Sequence, residues 1–182
     1  MSQFNAYILL DNSNNKESLT YILDFLFPTY YINWKDNIAE ISVFDDPSFQ
    51  LKLEKVHASA FIDANIQSSI LIVPYFSNIF IKYLKKMKHE VATIYDIFFR
   101  NSHLKETKLD ANKIINSISK DNLDTIKAYI KSNGNANAAA EELFLHKNSY
   151  AYRIKKFTSD TQLDYNDLNT LLFIKLLLSL NN

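Results

Sequence analysis

The stretch 122–157, NLDTIKAYIKSNGNANAAAEELFLHKNSYAYRIKKF, carries three helix signals in succession. Leu123, Ile126, Tyr129 and Ile130 recur at three- and four-residue spacing, which predicts a helix with one buried stripe that Asp121 can cap. Asn133-Gly134 then supplies a residue free to take positive φ, the usual way to end a helix, and Gly134 is the only glycine in the chain. Ala138, Ala139 and Ala140 favour a second helix, with Asn137 as its cap, and their small side chains let a neighbour approach at a steep angle. Phe144 and Leu145 form a turn. A third helix is expected over 146–157, opened by His146, with Tyr150, Ile154 and Phe157 as its inward stripe.

The outer face of that third helix carries Lys147, Asn148, Ser149, Tyr152, Arg153 and Lys156. These types suit a major groove: Lys and Arg neutralise phosphates, Arg pairs bidentately with guanine, Asn reads adenine and Ser donates from a short hydroxyl. No acid lies between Lys147 and Lys156, so a locally positive potential is expected although the whole chain is neutral. The same residues would equally make the solvated charged face of an ordinary helical bundle, and a neutral chain lacks the basic footprint typical of nucleic-acid binders.

The ordered string GNANAAAEELFLHKNSYAYRIKKF, followed by TQLDYNDLNTLLFIKLLLSL, resembles the C-terminal helix-turn-helix of the PucR/CdaR family of bacterial transcriptional regulators. The carrying positions are Gly134-Asn135, the Ala-rich 138–143, His146-Lys147-Asn148-Ser149, Tyr152-Arg153-Ile154, Thr161-Gln162-Leu163-Asp164 and the leucine-rich 171–180. Lys147 stands where the family usually has Arg, Ser149 where it has Thr, and Gln162 where it has Gly. The resemblance implies a recognition helix entering the major groove. Asn148, Ser149, Tyr152 and Arg153 would then lie nearest the bases, with Lys147 and Lys156 on phosphates.

Composition narrows the remaining possibilities. A chain of 182 residues with 47% hydrophobic content can bury a core, as one domain or two small ones. Without cysteine there are no disulfides or thiolate metal sites, which suits a reducing compartment. With one glycine, neither a P-loop nor a dinucleotide-binding turn can be written. The start lacks signal-peptide character, and the apolar run 70–84 is broken by Pro74, Asn78 and Lys82, so a cytoplasmic protein without a membrane span is expected.

The first hundred residues predict strands over 5–10, 30–34, 38–44 and 69–74, and helices over 18–27 and from 46–48 onward. The stripe expected for the second helix is Leu51, Leu53, Val56, Ala60, Phe61 and Ala64. This order is the split βαβ arrangement, a ferredoxin-like βαββαβ domain whose natural form is a four-stranded antiparallel sheet under two helices. Further helices are expected over 79–87, where Lys82, Lys85, Lys86 and Lys88 form either a second phosphate-facing patch or a solvated face, and over 91–99. The PucR/CdaR resemblance implies a degenerate GGDEF-like domain here. The hairpin Trp34-Lys35-Asp36-Asn37-Ile38 lacks the Gly-Gly and acidic pairs, so no cyclase activity follows.

His57, His89, His103 and His146 share no ligand spacing, and Asp45-Asp46 and Glu141-Glu142 read as capping and solvation, so no catalytic residue, metal or cofactor is expected. Tyr30, Tyr31 and Trp34 leave room for an effector pocket. The predicted fold is α+β: a βαββαβ domain over 1–101, a linker over 102–113 and an all-α helix-turn-helix domain over 114–182. The final helix, 168–180, is apolar nearly all round and should be buried on more than one side. The expected partners are double-stranded DNA and a second copy of the chain. The competing reading is a protein-interaction module on a helix-turn-helix scaffold that does not bind DNA.

Overall fold

The computed structural model describes residues 3–181. The chain is α+β and divides into two compact units, Met1–Ile97 and Phe98–Asn182. In the first unit β1 (Gln3–Leu10) leads through a 3-10 turn (Ser13–Asn15) to α1 (Lys16–Leu26), then β2 (Tyr31–Lys35), β3 (Ile38–Phe44), α2 (Phe49–Ala64), β4 (Ser68–Val73), α3 (Asn78–Leu84) and β5 (Val91–Thr93). α4 (Ile94–Arg100) crosses the division between the units.

The sheet has the order β2-β3-β1-β4-β5, antiparallel except for the parallel pairing of β4 with β5. Alternation decides which side is covered. Ala6, Ile8 and Leu10 of β1, with Ala39, Ile41 and Val43 of β3, enter a core closed by Leu19 and Leu23 of α1 and Leu53, Val56 and Ala60 of α2. The βαββαβ order matches the expectation from the sequence.

Three details differ from it. Residues 91–99 are not one helix, because Thr93 and Asp96 cap each other: Thr93 Oγ1 donates to Asp96 Oδ2 at 2.6 Å and accepts from Asp96 N at 3.1 Å. The helix therefore starts at Ile94, and Val91–Thr93 adds a fifth strand. On α2, Leu51, Phe61 and Ala64 are exposed, while Phe49 is fully buried between the rings of Phe4 and Phe27 at 5.7 and 5.8 Å. Of the lysines near α3, Lys82 and Lys86 lie over the Tyr83 ring, at 5.1 and 6.0 Å from its centroid.

Asp46 sets the start of α2. Its carboxylate accepts from Ser48 N at 3.0 Å, Ser48 Oγ at 2.6 Å and Lys52 Nζ at 2.7 Å. The hydrogen bond from Lys52, then that from Ser48, holds its pKa below the usual carboxylate range. A carboxyl depressed on folding contributes stability above its unfolded pKa, and loses it as pH falls through the folded value. Asp46→Asn, which removes the charge that Lys52 pairs with, is expected to cost up to about 1 kcal/mol at pH 7, the range of a partly exposed ion pair. In urea melts the difference should shrink as pH falls through the depressed folded-state pKa, where the wild-type carboxyl also takes up its proton.

In the second unit, α5 (Lys105–Asn116) occupies most of the stretch expected to be a linker. Four of its five charged side chains are exposed, but Asp110 is buried, as are Ala111, Ile114 and Ile115, which at i, i+3 and i+4 lie on the side packed against α9 (Leu168–Leu180). α6 (Lys120–Lys131), α7 (Ala136–Glu142) and α8 (Lys147–Thr161), which follow α5 in the chain, pack on one another. α9 starts at Asp167, which accepts from Thr170 N and Oγ1, both at 2.7 Å. It buries Phe173, Ile174 and Leu177, but Leu168 and Leu172 stay exposed.

Candidate nucleic-acid interface

Each helix of the α6-α7-α8 unit is stopped by a local device. Ser119, not Asp121, caps α6, accepting from Asn122 N at 3.4 Å. At its far end Asn133 (φ 51°) and Gly134 (φ 80°) both take positive φ. Gly134 N reaches Tyr129 O at 2.9 Å and Asn133 N reaches Ile130 O at 3.1 Å, the two bonds of a Schellman motif. Asn135, not Asn137, caps α7 by accepting from the amides of Asn137 and Ala138. His146 caps α8 as expected, its Nδ1 accepting from Asn148 N at 3.3 Å.

Small residues bring the helices together. Ala139 and Ala140 of α7 are buried, and Tyr150, Ile154 and Phe157 of α8 form the inward stripe. The Tyr150 hydroxyl donates to Thr125 O at 3.2 Å, tying α8 to α6, and burial pushes its pKa above the ordinary tyrosine range. The opposite face of α8 is thereby fixed in direction. Asn148, Ser149 and Tyr152 are exposed on it and Arg153 is half-buried.

These side chains share a shallow concavity. α8 lines it with Asn148, Ser149, Tyr152, Arg153 and Lys156, and the start of α6 closes it with Ser119, Asp121 and Asn122. Lys147 does not line it. At 3.6 residues per turn it falls on the other flank of the buried stripe from Ser149 and Arg153, so the six predicted residues split five and one. The contribution from α6 was missed by sequence reasoning. Its available signal was Ser119 three residues before Asn122, a capping spacing overlooked in favour of Asp121.

Lys156 is engaged within the unit. Its Nζ lies 2.5 Å from Asp160 Oδ2, one turn on, and Asn122 Nδ2 donates to the same oxygen at 2.9 Å. The bond from Lys156, then that from Asn122, keeps the Asp160 carboxyl below its usual range, and the pairing raises Lys156. The ion pair therefore persists across neutral pH and breaks only in acid, when Asp160 is protonated. With Asp121 alongside, the face is less positive than the span 147–156 suggested. Lys147 and Arg153 hold no ion pair among the described residues.

α8 ends at Gln162, which takes φ 59°. A left-handed backbone costs a residue with a Cβ roughly 1 kcal/mol more than glycine. Gln162→Gly is expected to stabilise the helical unit by up to about 1 kcal/mol, read as a higher denaturant midpoint at unchanged m-value.

Comparison with known proteins agrees with this geometry. Residues 122–180 match the PucR C-terminal helix-turn-helix domain. A curated relative, the proline-responsive transcriptional activator PutR of Bacillus subtilis (strain 168), is 42% identical over 48 residues, 26% of this chain. The chain covers 12% of the length of that relative. A solved structure, the regulator of polyketide synthase expression from Bifidobacterium adolescentis, aligns over 99% of this chain and 81% of its own at 11% identity with a TM-score of 0.46, a likeness that carries no argument. On the family match and the packing of α6, α7 and α8, residues 122–180 are a PucR C-terminal helix-turn-helix domain.

Proposed function

We propose that the chain is a cytoplasmic transcriptional regulator that binds double-stranded DNA in a sequence-specific manner. α8 enters the major groove with Asn148, Ser149, Tyr152 and Arg153 toward the bases. The observation that carries this reading is the polar face of α8 held outward by a buried stripe inside a PucR-type helix-turn-helix. Lys147, on the other flank, is assigned to a phosphate. Lys156 reaches a phosphate only by leaving Asp160. The first unit acts as a non-enzymatic scaffold of ferredoxin-like type; its element order supports a degenerate GGDEF-like origin.

The roles of two residues separate in one experiment. Arg153→Ala should relax preference at one position of a site selected from fragmented DNA, at a cost of about 1–3 kcal/mol. Lys147→Ala should weaken all sequences alike and reduce the log–log salt slope by about 0.9. Equal behaviour of the two variants would remove the assignment.

A single small motif buries little DNA, so the reading includes a homodimer on two half-sites about one helical turn apart. Light scattering should give twice the chain mass on DNA; a monomer at micromolar concentration with and without DNA would exclude it. The exposed Leu168 and Leu172 of α9 favour a second reading, in which the unit docks a partner regulator without binding DNA.

A further inference from the structure

Three helices of the second unit end with a residue in the left-handed region, and the residue types differ in a telling way. α6 uses Asn133 (φ 51°) with Gly134 (φ 80°) and α8 uses Gln162 (φ 59°), but α7 uses Phe144 (φ 54°). Phe144 N reaches Glu141 O at 3.0 Å and Leu145 N reaches Ala140 O at 2.9 Å, so this is a full Schellman motif with phenylalanine where glycine fits best. Its ring is 96% exposed, the highest value among the large apolar side chains described.

Both features count against Phe144 as a structural residue. A left-handed backbone disfavours a bulky side chain, and an exposed ring forfeits its burial. Strained, unburied residues of this kind point to a contact outside the chain. The position names the contact. Phe144 lies two residues before His146, the cap of α8, beside the exposed first turn Lys147-Asn148-Ser149. When a recognition helix meets the bases with its N-terminal residues, the turn before it lies at the groove wall.

We propose that Phe144 packs on deoxyribose at the wall of the major groove, an apolar anchor that sets the depth and angle of α8. This deepens the DNA-binding reading and depends on it. A sugar contact carries no sequence information and displaces no counterion, so its signature differs from that of Arg153 and of Lys147.

The test uses the full chain with Phe144→Asn and Phe144→Gly, both of which tolerate the left-handed backbone. It measures binding to a selected duplex and to an unrelated duplex of equal length across a salt series, alongside the Tm of each free protein. Expected are affinities about tenfold weaker on both duplexes, an unchanged salt slope, and a Tm equal to or a few degrees above wild type. Wild-type affinity in both variants would overturn the proposal. So would a loss confined to the selected duplex, which means a base contact, or a loss accompanied by failure to self-associate without DNA, which means a protein contact. If the wild-type chain binds neither duplex, the DNA-binding reading itself fails, and that is visible in the control before any variant is compared.

Discussion

Replacing Asn148 and Arg153 together by alanine is expected to weaken binding to a selected DNA site by about 10²- to 10⁴-fold, because each bidentate base contact is worth roughly 1–3 kcal/mol. The fold should survive. Asn148 is exposed and Arg153 is half-buried and without an ion pair among the described residues, so neither change opens a cavity or strands a buried charge. Fluorescence anisotropy with labelled duplex reads the affinity, and circular dichroism melts of the same samples read the fold. A double variant that binds like the wild type would remove α8 from the interface. One that binds poorly because it has melted would say nothing for base contacts and would count against the assignment of these two side chains to the surface.

Phe157→Ala carries the largest expected effect on stability. The ring is fully buried on the inward stripe of α8. Truncating such a residue costs about 3–5 kcal/mol through lost burial and the cavity left behind. That is comparable to the whole stability of a helical unit of this size. DNA binding should disappear along with cooperative helical melting, in contrast to the variants at Asn148 and Arg153, which keep the melt. A well-folded Phe157→Ala protein would mean that α8 is not anchored as described.

How much of this was readable in advance depends on the range of the interaction involved. The inward stripe Tyr150, Ile154 and Phe157 follows from helical spacing alone, because burial repeats with the period of the helix, while β1, β3 and the terminal helix were legible as apolar runs of strand or helix length. The strand at Val91–Thr93 was missed because the window 91–99 is mostly apolar, with no Gly or Pro to divide it, and only the mutual capping of Thr93 and Asp96 decides where the helix starts. The stretch 102–113 looked like a linker because charge outnumbers apolar residues there; the buried side of α5, which occupies most of it, becomes evident only once α9 supplies a partner. On the interface itself, the polar side chains of α8 were legible, but the contribution of Asn122 was not. Asn122 and Asp160 are 38 residues apart in sequence, and no local pattern announces their meeting at 2.9 Å. The removal of Lys156 from the open positive face follows from the same contact.

The central claim is that α8 reads DNA, and the most direct test is the salt dependence of binding to fragmented DNA by the intact chain. Sequence-specific binding through the helix-turn-helix should enrich a small set of fragments, with log K falling steeply against log salt at about 0.9 per phosphate neutralised. No enrichment, or association that hardly responds to salt, would contradict it and favour the apolar flank of α9 carrying Leu168 and Leu172 as the working surface.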